Sequence, residues 1–204
     1  KYSKSNVGKN LLMKAIMYHY IRNFSREFPN YNFLEKKSFL KQINNFSREG
    51  IVSSNNEIKS HGRGNILTFD DGLKDHIWAA EQLKKRNLTG IFFVSTWPYE
   101  KREILDVHKS HIILGKVGAD VALKELKEIV SKGKYLDFLD SNTRNKYKYV
   151  YKDNKDDCNK NEFKKIINYF SNFKINRIIF KELTKKFDIK LDYKKYYLST
   201  KEIK

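Results

Sequence analysis

The sequence predicts an α/β fold, because apolar strand patterns alternate with helical periods in its first half. Residues 65–69 and 89–94 are short apolar runs, the pattern of strands that are buried on both faces of a parallel sheet. Residues 73–86 lie between these runs and predict a helix whose inward side chains are Ile77, Ala80 and Leu83. A strand, a helix and a second strand within about thirty residues form the crossover unit that joins parallel strands.

An earlier strand and an earlier helix precede this crossover unit. Residues 15–21 are apolar and aromatic, which predicts a further buried strand. Apolar side chains then recur at one-face helical spacing over residues 39–46. We expect that helix to end at Gly50, because glycine suits the left-handed position that follows many helices.

The second half of the chain combines helical periods with a polar stretch. Residues 137–161 are polar and rich in Tyr and Lys, which predicts a solvent-exposed excursion. Amphipathic periods predict three helices, over residues 121–130, 163–170 and 178–187.

We interpret the chain as one domain with an insertion. Residues 1–118 form the N-terminal part of the predicted domain, residues 119–190 a helical insertion, and residues 191–204 the start of a return to the domain. Ser199 and Glu202 have the spacing of a capping box, which opens a helix. Because a stable helix needs more residues than follow, we expect the fold to continue beyond the given sequence.

Composition indicates a globular protein with a strong positive charge. Apolar residues make up 40% of the 204 residues and aromatic residues 14%, which excludes a disordered chain. Lys and Arg total 42 against 24 Asp and Glu, and the formal net charge of +18 suits polyanionic partners. The lysines are interleaved with acidic and neutral residues, however, and Arg, which base edges and phosphates prefer, is scarce. Nucleic acid is therefore a disfavoured partner.

The cysteine content and the lengths of the apolar runs bear on the cellular context. Cys158 stands alone, so the sequence has neither a disulfide framework nor the cysteine spacing of a zinc knuckle. No apolar run approaches the ~20 residues that cross a bilayer, and no transmembrane segment is predicted. A lone thiol and the lack of a secretory-type start favour the cytoplasm. The sequence begins with Lys, so a preceding leader stays open.

The sharpest chemical feature is Thr-Phe-Asp-Asp-Gly at residues 68–72, at the predicted carboxyl end of a strand. Adjacent carboxylates repel each other, and a divalent metal relieves this repulsion: one carboxylate ligates the ion while the other accepts a proton. Gly72 allows a sharp backbone turn beside a ligand, and α/β folds place their sites at this edge of the sheet. The alternative is an acidic turn that caps the next helix.

Two segments and their order are distinctive. Ile-Leu-Thr-Phe-Asp-Asp-Gly at residues 66–72 is followed by a helix and then by Gly-Ile-Phe-Phe-Val at residues 90–94. Met-Tyr-His-Tyr at residues 17–20 and the helix over residues 39–46 precede them. Together these segments resemble the polysaccharide deacetylase family (carbohydrate esterase family 4) over about residues 15–115. The resemblance implies a partial or distorted (β/α) barrel with a helical insertion.

The resemblance also implies roles for the motif residues. Asp70 matches the family's general base, which takes a proton from the attacking water, and Asp71 matches a metal ligand. The implied cofactor is a divalent metal, with zinc favoured. The implied reaction hydrolyses the N-acetyl group of a glycan or of a cell-surface polysaccharide sugar, which releases acetate and leaves an amine.

The sequence departs from the family at the second metal motif, His-Ser/Thr-x-x-His, which is absent. The nearest candidates are His108 and His111, whose spacing places both rings on one face of a helix predicted over residues 107–114. These histidines either ligate the metal with Asp71 or make packing or polar contacts in that helix. We expect the family's motif to follow the given sequence, so that the 204 residues alone would lack two metal ligands and activity.

The remaining candidate residues carry weaker signals. Trp97 is a candidate for stacking on a sugar ring or for packing in the core. His19 either lines the substrate pocket or is a core histidine. Arg63 either holds the Asp70 carboxylate in its charged form or is solvated. Asp75 either contacts a nearby Arg or Lys or caps the helix, and His76 is predicted to lie at the surface.

Two other classes of function stay open. A non-catalytic glycan- or polyanion-binding protein would retain the deacetylase fold and bind no divalent ion. A basic protein that binds nucleic acid would show steeply salt-dependent binding to DNA or RNA.

Overall fold

The computed structural model describes four stretches of the chain: residues 14–49, 65–133, 145–151 and 157–204. Parallel strands and helices alternate along them, so the predicted α/β class is confirmed. The chain divides into two compact units. The first takes in the described parts of residues 1–23, 33–96 and 194–204, and the second those of residues 24–32 and 97–193.

The strands belong to the first unit and form two small parallel sheets. Their bounds are β1 Lys14–Tyr18, β2 Ile21–Arg22, β3 Leu34–Glu35, β4 Asn65–Phe69 and β5 Ile91–Phe92. β4 is the central strand of a three-stranded sheet of order β1-β4-β5, and β2 pairs with β3. Within the described residues these strands close no barrel.

Helices connect the strands of the first unit and build the second unit. Their bounds are α1 Lys36–Glu49, α2 Asp75–Lys84, α3 Trp97–Lys101, α4 Asp106–Val117, α5 Ala119–Lys132, α6 Cys158–Lys165, α7 Phe173–Lys186, α8 Tyr193–Tyr196 and α9 Thr200–Ile203. A five-residue π-helix, Ile166–Phe170, directly follows α6. None of the described helices is long and apolar enough to cross a membrane.

The sheet follows the predicted strands with one break. β4 has the predicted bounds, and β5 covers two of residues 89–94. The predicted strand over residues 15–21 is interrupted by His19 and Tyr20, which connect β1 to β2. Since β1 and β4 end side by side, with Tyr18 opposite Phe69, the break places His19 at the carboxyl edge of the sheet.

An aromatic layer fixes the ends of the strands against the helices. Phe69 is fully buried and stacks on Phe92, with ring centroids 4.6 Å apart, and on Tyr18 at 5.4 Å. Phe39 of α1 meets Tyr18 edge-on at 5.1 Å, and Leu83 of α2 joins the same cluster. Such ring pairs add about 0.5–1.5 kcal/mol each to the gain from burial, so the residues before the motif acids are held rigidly.

The buried face of α2 differs from the prediction by one residue. Its buried side chains are those of His76, Ala79 and Leu83, whereas the sequence indicated Ile77, Ala80 and Leu83. Ile77 and Ala80 are half-buried. A histidine is accepted in the core here because its ring nitrogen finds a backbone carbonyl, which offsets the cost of burying a polar group.

α1 confirms the helix predicted over residues 39–46 and buries Phe39 and Ile43. Its predicted end at Gly50 lies outside the described residues, as does much of the predicted excursion over residues 137–161. The capping box of Ser199 and Glu202 is present at the start of α9.

The second unit is helical. α5 and α7 confirm the helices predicted over residues 121–130 and 178–187, and α6 with the π-helix covers residues 163–170. α5 packs against α4, α6 and α7. The core side chains of the second unit are apolar and nearly inaccessible: Leu123, Leu126, Val130, Phe163, Ile167, Ile179 and Leu183. The interpretation of residues 119–190 as an insertion stays a prediction.

Candidate active site

The two motif acids directly follow the central strand of the sheet. The backbone N–H of Asp70 donates to the carbonyl oxygen of Tyr18 at 2.9 Å, which extends the pairing of β1 and β4 by one residue. Parallel α/β sheets bind ligands at this edge, where each strand turns toward its next helix. Asp70 and Asp71 therefore lie at the strand end that the sequence predicted.

The backbone that carries the second acid is strained. Asp71 has a φ of +77° and Gly72 a φ of +61°, both in the left-handed region. Glycine adopts this conformation freely, whereas at Asp71 it costs about 1 kcal/mol or more. A side chain at Gly72 would also be crowded, because its Cβ would lie 3.0 Å from Cγ1 of Val94. Strained residues concentrate at functional sites, which supports a functional role for Asp71.

The first acid has a buried oxygen that lacks a donor. Oδ1 of Asp70 is inaccessible and accepts no hydrogen bond from the described residues, although the residue as a whole is half-buried. Burying an acceptor without a partner costs about 1–3 kcal/mol, and more when the group is charged. Proteins compensate such groups with a water molecule or an ion. The geometry therefore favours a cation or a water molecule beside Asp70.

A histidine lies beside the second acid. Nε2 of His19 is 3.6 Å from Oδ2 of Asp71, and the two side chains are 39% and 28% exposed. His19 is therefore reachable from solvent and is not a core histidine. Two ligands of one tetrahedral zinc, each about 2.0–2.2 Å from the ion, lie roughly 3.3–3.6 Å apart. The spacing of His19 and Asp71 suits either an ion pair or two ligands of one cation.

Asp75 contacts an arginine, which confirms the first of its two predicted interpretations. Its carboxylate accepts hydrogen bonds from Nε of Arg22 at 2.8 Å, from Nη2 of Arg22 at 3.0 Å and from the backbone N–H of Ile21 at 3.0 Å. Arg22 precedes Asp75 by 53 residues, so no local pattern identified it as the partner. The forked pairing ties the start of α2 to β2.

His76 is buried, and the prediction that it lies at the surface is wrong. The residue is 1% exposed and packs edge-on against Phe69 and Phe92, with ring centroids 5.6 and 6.0 Å away. Nε2 of His76 lies 3.0 Å from the carbonyl oxygen of His19, so this nitrogen carries the proton and donates it. Burial lowers the pKa of His76, although the bond to His19 and the neighbouring carboxylates oppose the shift.

The segment that follows α8 holds the turn after the motif. The backbone N–H of Leu198 donates to the carbonyl oxygen of Gly72 at 2.8 Å. Next to this bond, Tyr197 pairs with Leu73 in an isolated antiparallel bridge, and Tyr197 is 1% exposed. The turn that carries Asp71 is thus bonded to this segment on its carboxyl side and directly follows β4 on its amino side.

The other predicted candidates in the described residues belong to the second unit. His108 and His111 lie on one face of α4, as their spacing predicts, with ring centroids 6.2 Å apart, and His108 is buried. Trp97 begins α3 and meets Phe173 edge-on at 6.5 Å. Metal binding by the two histidines and sugar stacking by Trp97 stay predictions.

Arg63, for which the sequence leaves open both a contact that holds Asp70 charged and a solvated position, lies outside the described residues. Among the residues that are described, no three His, Cys, Asp or Glu side chains are grouped to hold a metal ion. The candidate site consists of Asp71 and His19 as a close pair, with Asp70 directly before Asp71 in the chain.

Comparison with known proteins finds no matching family model, no matching curated protein and no matching solved structure. The resemblance to the deacetylase family therefore stays a prediction.

Proposed function

We propose that this chain is part of a metal-dependent deacetylase of the polysaccharide deacetylase type, which hydrolyses N-acetyl groups on a glycan or on a cell-surface polysaccharide sugar. One observation carries the proposal. Two adjacent carboxylates follow the central parallel strand, and the second, Asp71, is held in a left-handed turn beside His19. This combination of strain, charge and a nitrogen ligand is typical of a site rather than of a simple turn.

The geometry argues against the alternative that the two acids cap the next helix. α2 begins at Asp75, and its N-cap position is Lys74, where no side chain caps the backbone. Asp70 and Asp71 precede that position by more than one residue, so their carboxylates are not needed for the cap.

The residues at the strand end fit a divalent cation. A carboxylate oxygen of Asp71 and an imidazole nitrogen of His19 are the donor types that zinc accepts. The buried oxygen of Asp70 lacks a donor among the described residues, which a nearby positive charge would compensate. When bound, such an ion polarises a carbonyl group and lowers the pKa of water.

The proposed chemistry divides the work between neighbouring side chains. Asp71, with His19, would hold the cation, and Asp70 would accept a proton from the attacking water. The water oxygen bonds to the acetyl carbon, and the bond from that carbon to the sugar nitrogen breaks as the nitrogen takes up a proton. The products are acetate and an amino sugar.

We also propose that the sheet is part of a (β/α) barrel. α1 and α2 cover one face of the sheet. The other face carries apolar side chains in the open, with Met17 61% and Phe93 55% exposed. Parallel sheets are almost always covered on both faces, so the open face supports a larger sheet that is closed by further strands.

Metal titration tests the proposal on the product of the parent gene. Zn²⁺ is titrated by calorimetry into the wild type, into Asp71→Asn and into Asp188→Asn. Asp188 is the matched control, because it is exposed and also has a positive φ, +48°. We expect the zinc affinity of Asp71→Asn to be at least about tenfold lower than that of the wild type, and the affinity of Asp188→Asn to be unchanged. Absence of zinc binding in the wild type, or equal affinity in all three proteins, would contradict the proposal.

Acetate release tests the reaction itself. The product of the parent gene is incubated with N-acetylated oligosaccharides, and free acetate is measured by a coupled assay. We expect Asp70→Asn to lower kcat about 10²–10⁴-fold while zinc affinity is retained, because this residue handles a proton. Equal loss of zinc affinity in Asp70→Asn would show that the two acids do not divide the work as proposed.

Lysine–tyrosine pairs in the second unit favour a second candidate, a non-catalytic glycan- or polyanion-binding protein. The ammonium groups of Lys146 and Lys148 lie over the rings of Tyr147 and Tyr149 at 5.3 and 5.6 Å, and Tyr149 is 66% exposed. Aromatic rings offer stacking faces for sugars, and the net charge of +18 attracts anions. Polysaccharide binding that weakens with salt, without acetate release, would favour this candidate.

A further inference from the structure

The connection from β1 to β2 is held at every residue by a bond from another element. This segment, residues 18–21, contains His19. The bonds pair Tyr18 O with Asp70 N, His19 O with His76 Nε2, Tyr20 O with Leu34 N, and Ile21 N with Asp75 Oδ2, all at 2.9–3.0 Å. A segment whose backbone is bonded in this way has little freedom to move, so the Cα–Cβ bonds of its residues keep fixed directions.

Two of the four bonds come from the first two residues of α2. Asp75 binds the N–H of Ile21 and also takes both guanidinium contacts of Arg22, with the Asp75 side chain 13% exposed. His76 reaches the carbonyl group of His19 from within the aromatic core. Charged and buried hydrogen bonds are the stronger ones, so the start of α2 contributes strongly to fixing this segment.

We propose that Asp75 and His76 are positioning residues that hold the His19 imidazole beside the Asp71 carboxylate. The proposal rests on the proposed function in one respect, namely that His19 and Asp71 form the site. Three residues separate Asp71 from the start of α2. The first turn of this helix is therefore close in sequence to the turn that carries Asp71, and it bonds to the connection that carries His19.

The side chain of His76 combines two properties that substitutions separate. Its ring packs against Phe69 and Phe92, and its Nε2 donates to His19. Nδ1 is buried and has no hydrogen-bond partner among the described residues, so the ring acts through one nitrogen. Phenylalanine would keep the ring packing without the donor. Glutamine would place an amide N–H near the position of Nε2 without the ring.

Solution NMR measures the coupling between the two site residues directly. Asp71→Asn removes a charge 3.6 Å from the ring of His19, so we expect it to shift the imidazole signals of His19. In the His76→Phe background this shift should fall by about half or more, because the fixed distance is lost. In the His76→Gln background it should be retained. Leu83→Val, a buried change in the last turn of α2, is the matched control and should keep the full shift.

Equal Asp71→Asn shifts in the wild-type, His76→Phe and Leu83→Val backgrounds would overturn the positioning role. If His76→Phe does not fold, Asp75→Asn takes its place, because an amide cannot accept both hydrogen bonds from Arg22. A reduced Asp71→Asn shift in the Asp75→Asn background supports the positioning role, and an unchanged shift overturns it.

Zinc titration separates this proposal from the proposed function. We expect His76→Phe to weaken zinc binding about tenfold, as loss of a group that orients a ligand commonly does. A wild type that binds no zinc, but whose Asp71–His19 coupling depends on His76, would refute the metal site and leave the positioning role in place. Zinc binding that depends on Asp71, with coupling independent of His76, would do the reverse.

Discussion

Substituting Gly90 tests how tightly the sheet is packed beneath the motif. Gly90 directly precedes β5, and a Cβ at this position would lie 2.7 Å from Cε2 of Phe69 and 2.9 Å from Cδ1 of Leu83. Both neighbours are buried, at 0% and 2% exposure, and Phe69 is stacked on Phe92. Neither side chain can move into solvent, so the new methyl group of Gly90→Ala must displace the aromatic layer around Phe69, the residue directly before Asp70.

The expected cost of Gly90→Ala follows from two opposing terms. Overpacking a rigid core by one methyl group costs about 1–3 kcal/mol. Alanine reduces the entropy of the unfolded chain, which returns about 0.4–1 kcal/mol. The midpoints of these ranges, about 2 and about 0.7 kcal/mol, leave an expected net loss of about 1.3 kcal/mol in the free energy of unfolding. Urea denaturation followed by circular dichroism measures it, with an unchanged m value as evidence that the unfolded state is the same.

Repeating Gly90→Ala in a Phe69→Leu variant tests whether the ring of Phe69 causes the loss of stability. Phe69→Leu removes the ring atoms that the new methyl group would strike, so the cost of Gly90→Ala should fall by about 1 kcal/mol in that background. A neutral or stabilising Gly90→Ala, or an equal cost in both backgrounds, would refute the packing argument.

Three further predictions concern the site and its support. Burial lowers the pKa of His76 below its ordinary value of 6.5, so the corresponding stability is present above pH 6.5 and is lost as the pH falls through the lowered pKa. Urea unfolding at pH 7 to 5 should show a steeper loss for the wild type than for His76→Gln, by at most about 1.4 kcal/mol per pH unit, and parallel curves would count against it. Asp75→Ala should cost about 2–3 kcal/mol of unfolding free energy, because it removes three hydrogen bonds, two of them from the Arg22 guanidinium. A cost below ~0.5 kcal/mol, the size expected for a surface change, would show that these bonds do not stabilise the fold. Asp71→Gly should be about 1 kcal/mol more stable than Asp71→Ala, since only glycine adopts the positive φ freely, and equal stabilities would show that the turn is not strained.

Local sequence patterns predicted the strands and helices whose buried positions recur as apolar residues at regular spacing. The apolar run of residues 65–69 and the one-face period of residues 39–46 each carry their own signal, and both elements formed where they were predicted. The position of Asp70 and Asp71 at a strand end followed from the same local pattern. Local sequence did not show that β1 stops at Tyr18, because His19 and Tyr20 resemble further strand residues until their bonding partners are known.

Tertiary contacts determine the burial and the bonding partners of the residues that the sequence placed wrongly or left open. The surface position predicted for His76, next to Asp75 on the helix, is wrong. His76 shares a face with Ala79 and Leu83 at helical spacing, and that period is the signal that the sequence offers. Its burial depends on the carbonyl group of His19, 57 residues earlier. The partner of Asp75 is likewise distant in sequence. Such pairings follow from the fold and leave no trace in a local window.

Anomalous diffraction from crystals of the zinc-loaded protein, recorded at the zinc absorption edge, locates the cation directly. We predict a peak about 2.0–2.2 Å from a carboxylate oxygen of Asp71, with the ring of His19 in contact and Asp70 beside it. Zinc bound elsewhere, for example at His108 and His111 alone, with the carboxylate of Asp71 facing bulk solvent, would contradict the proposed site.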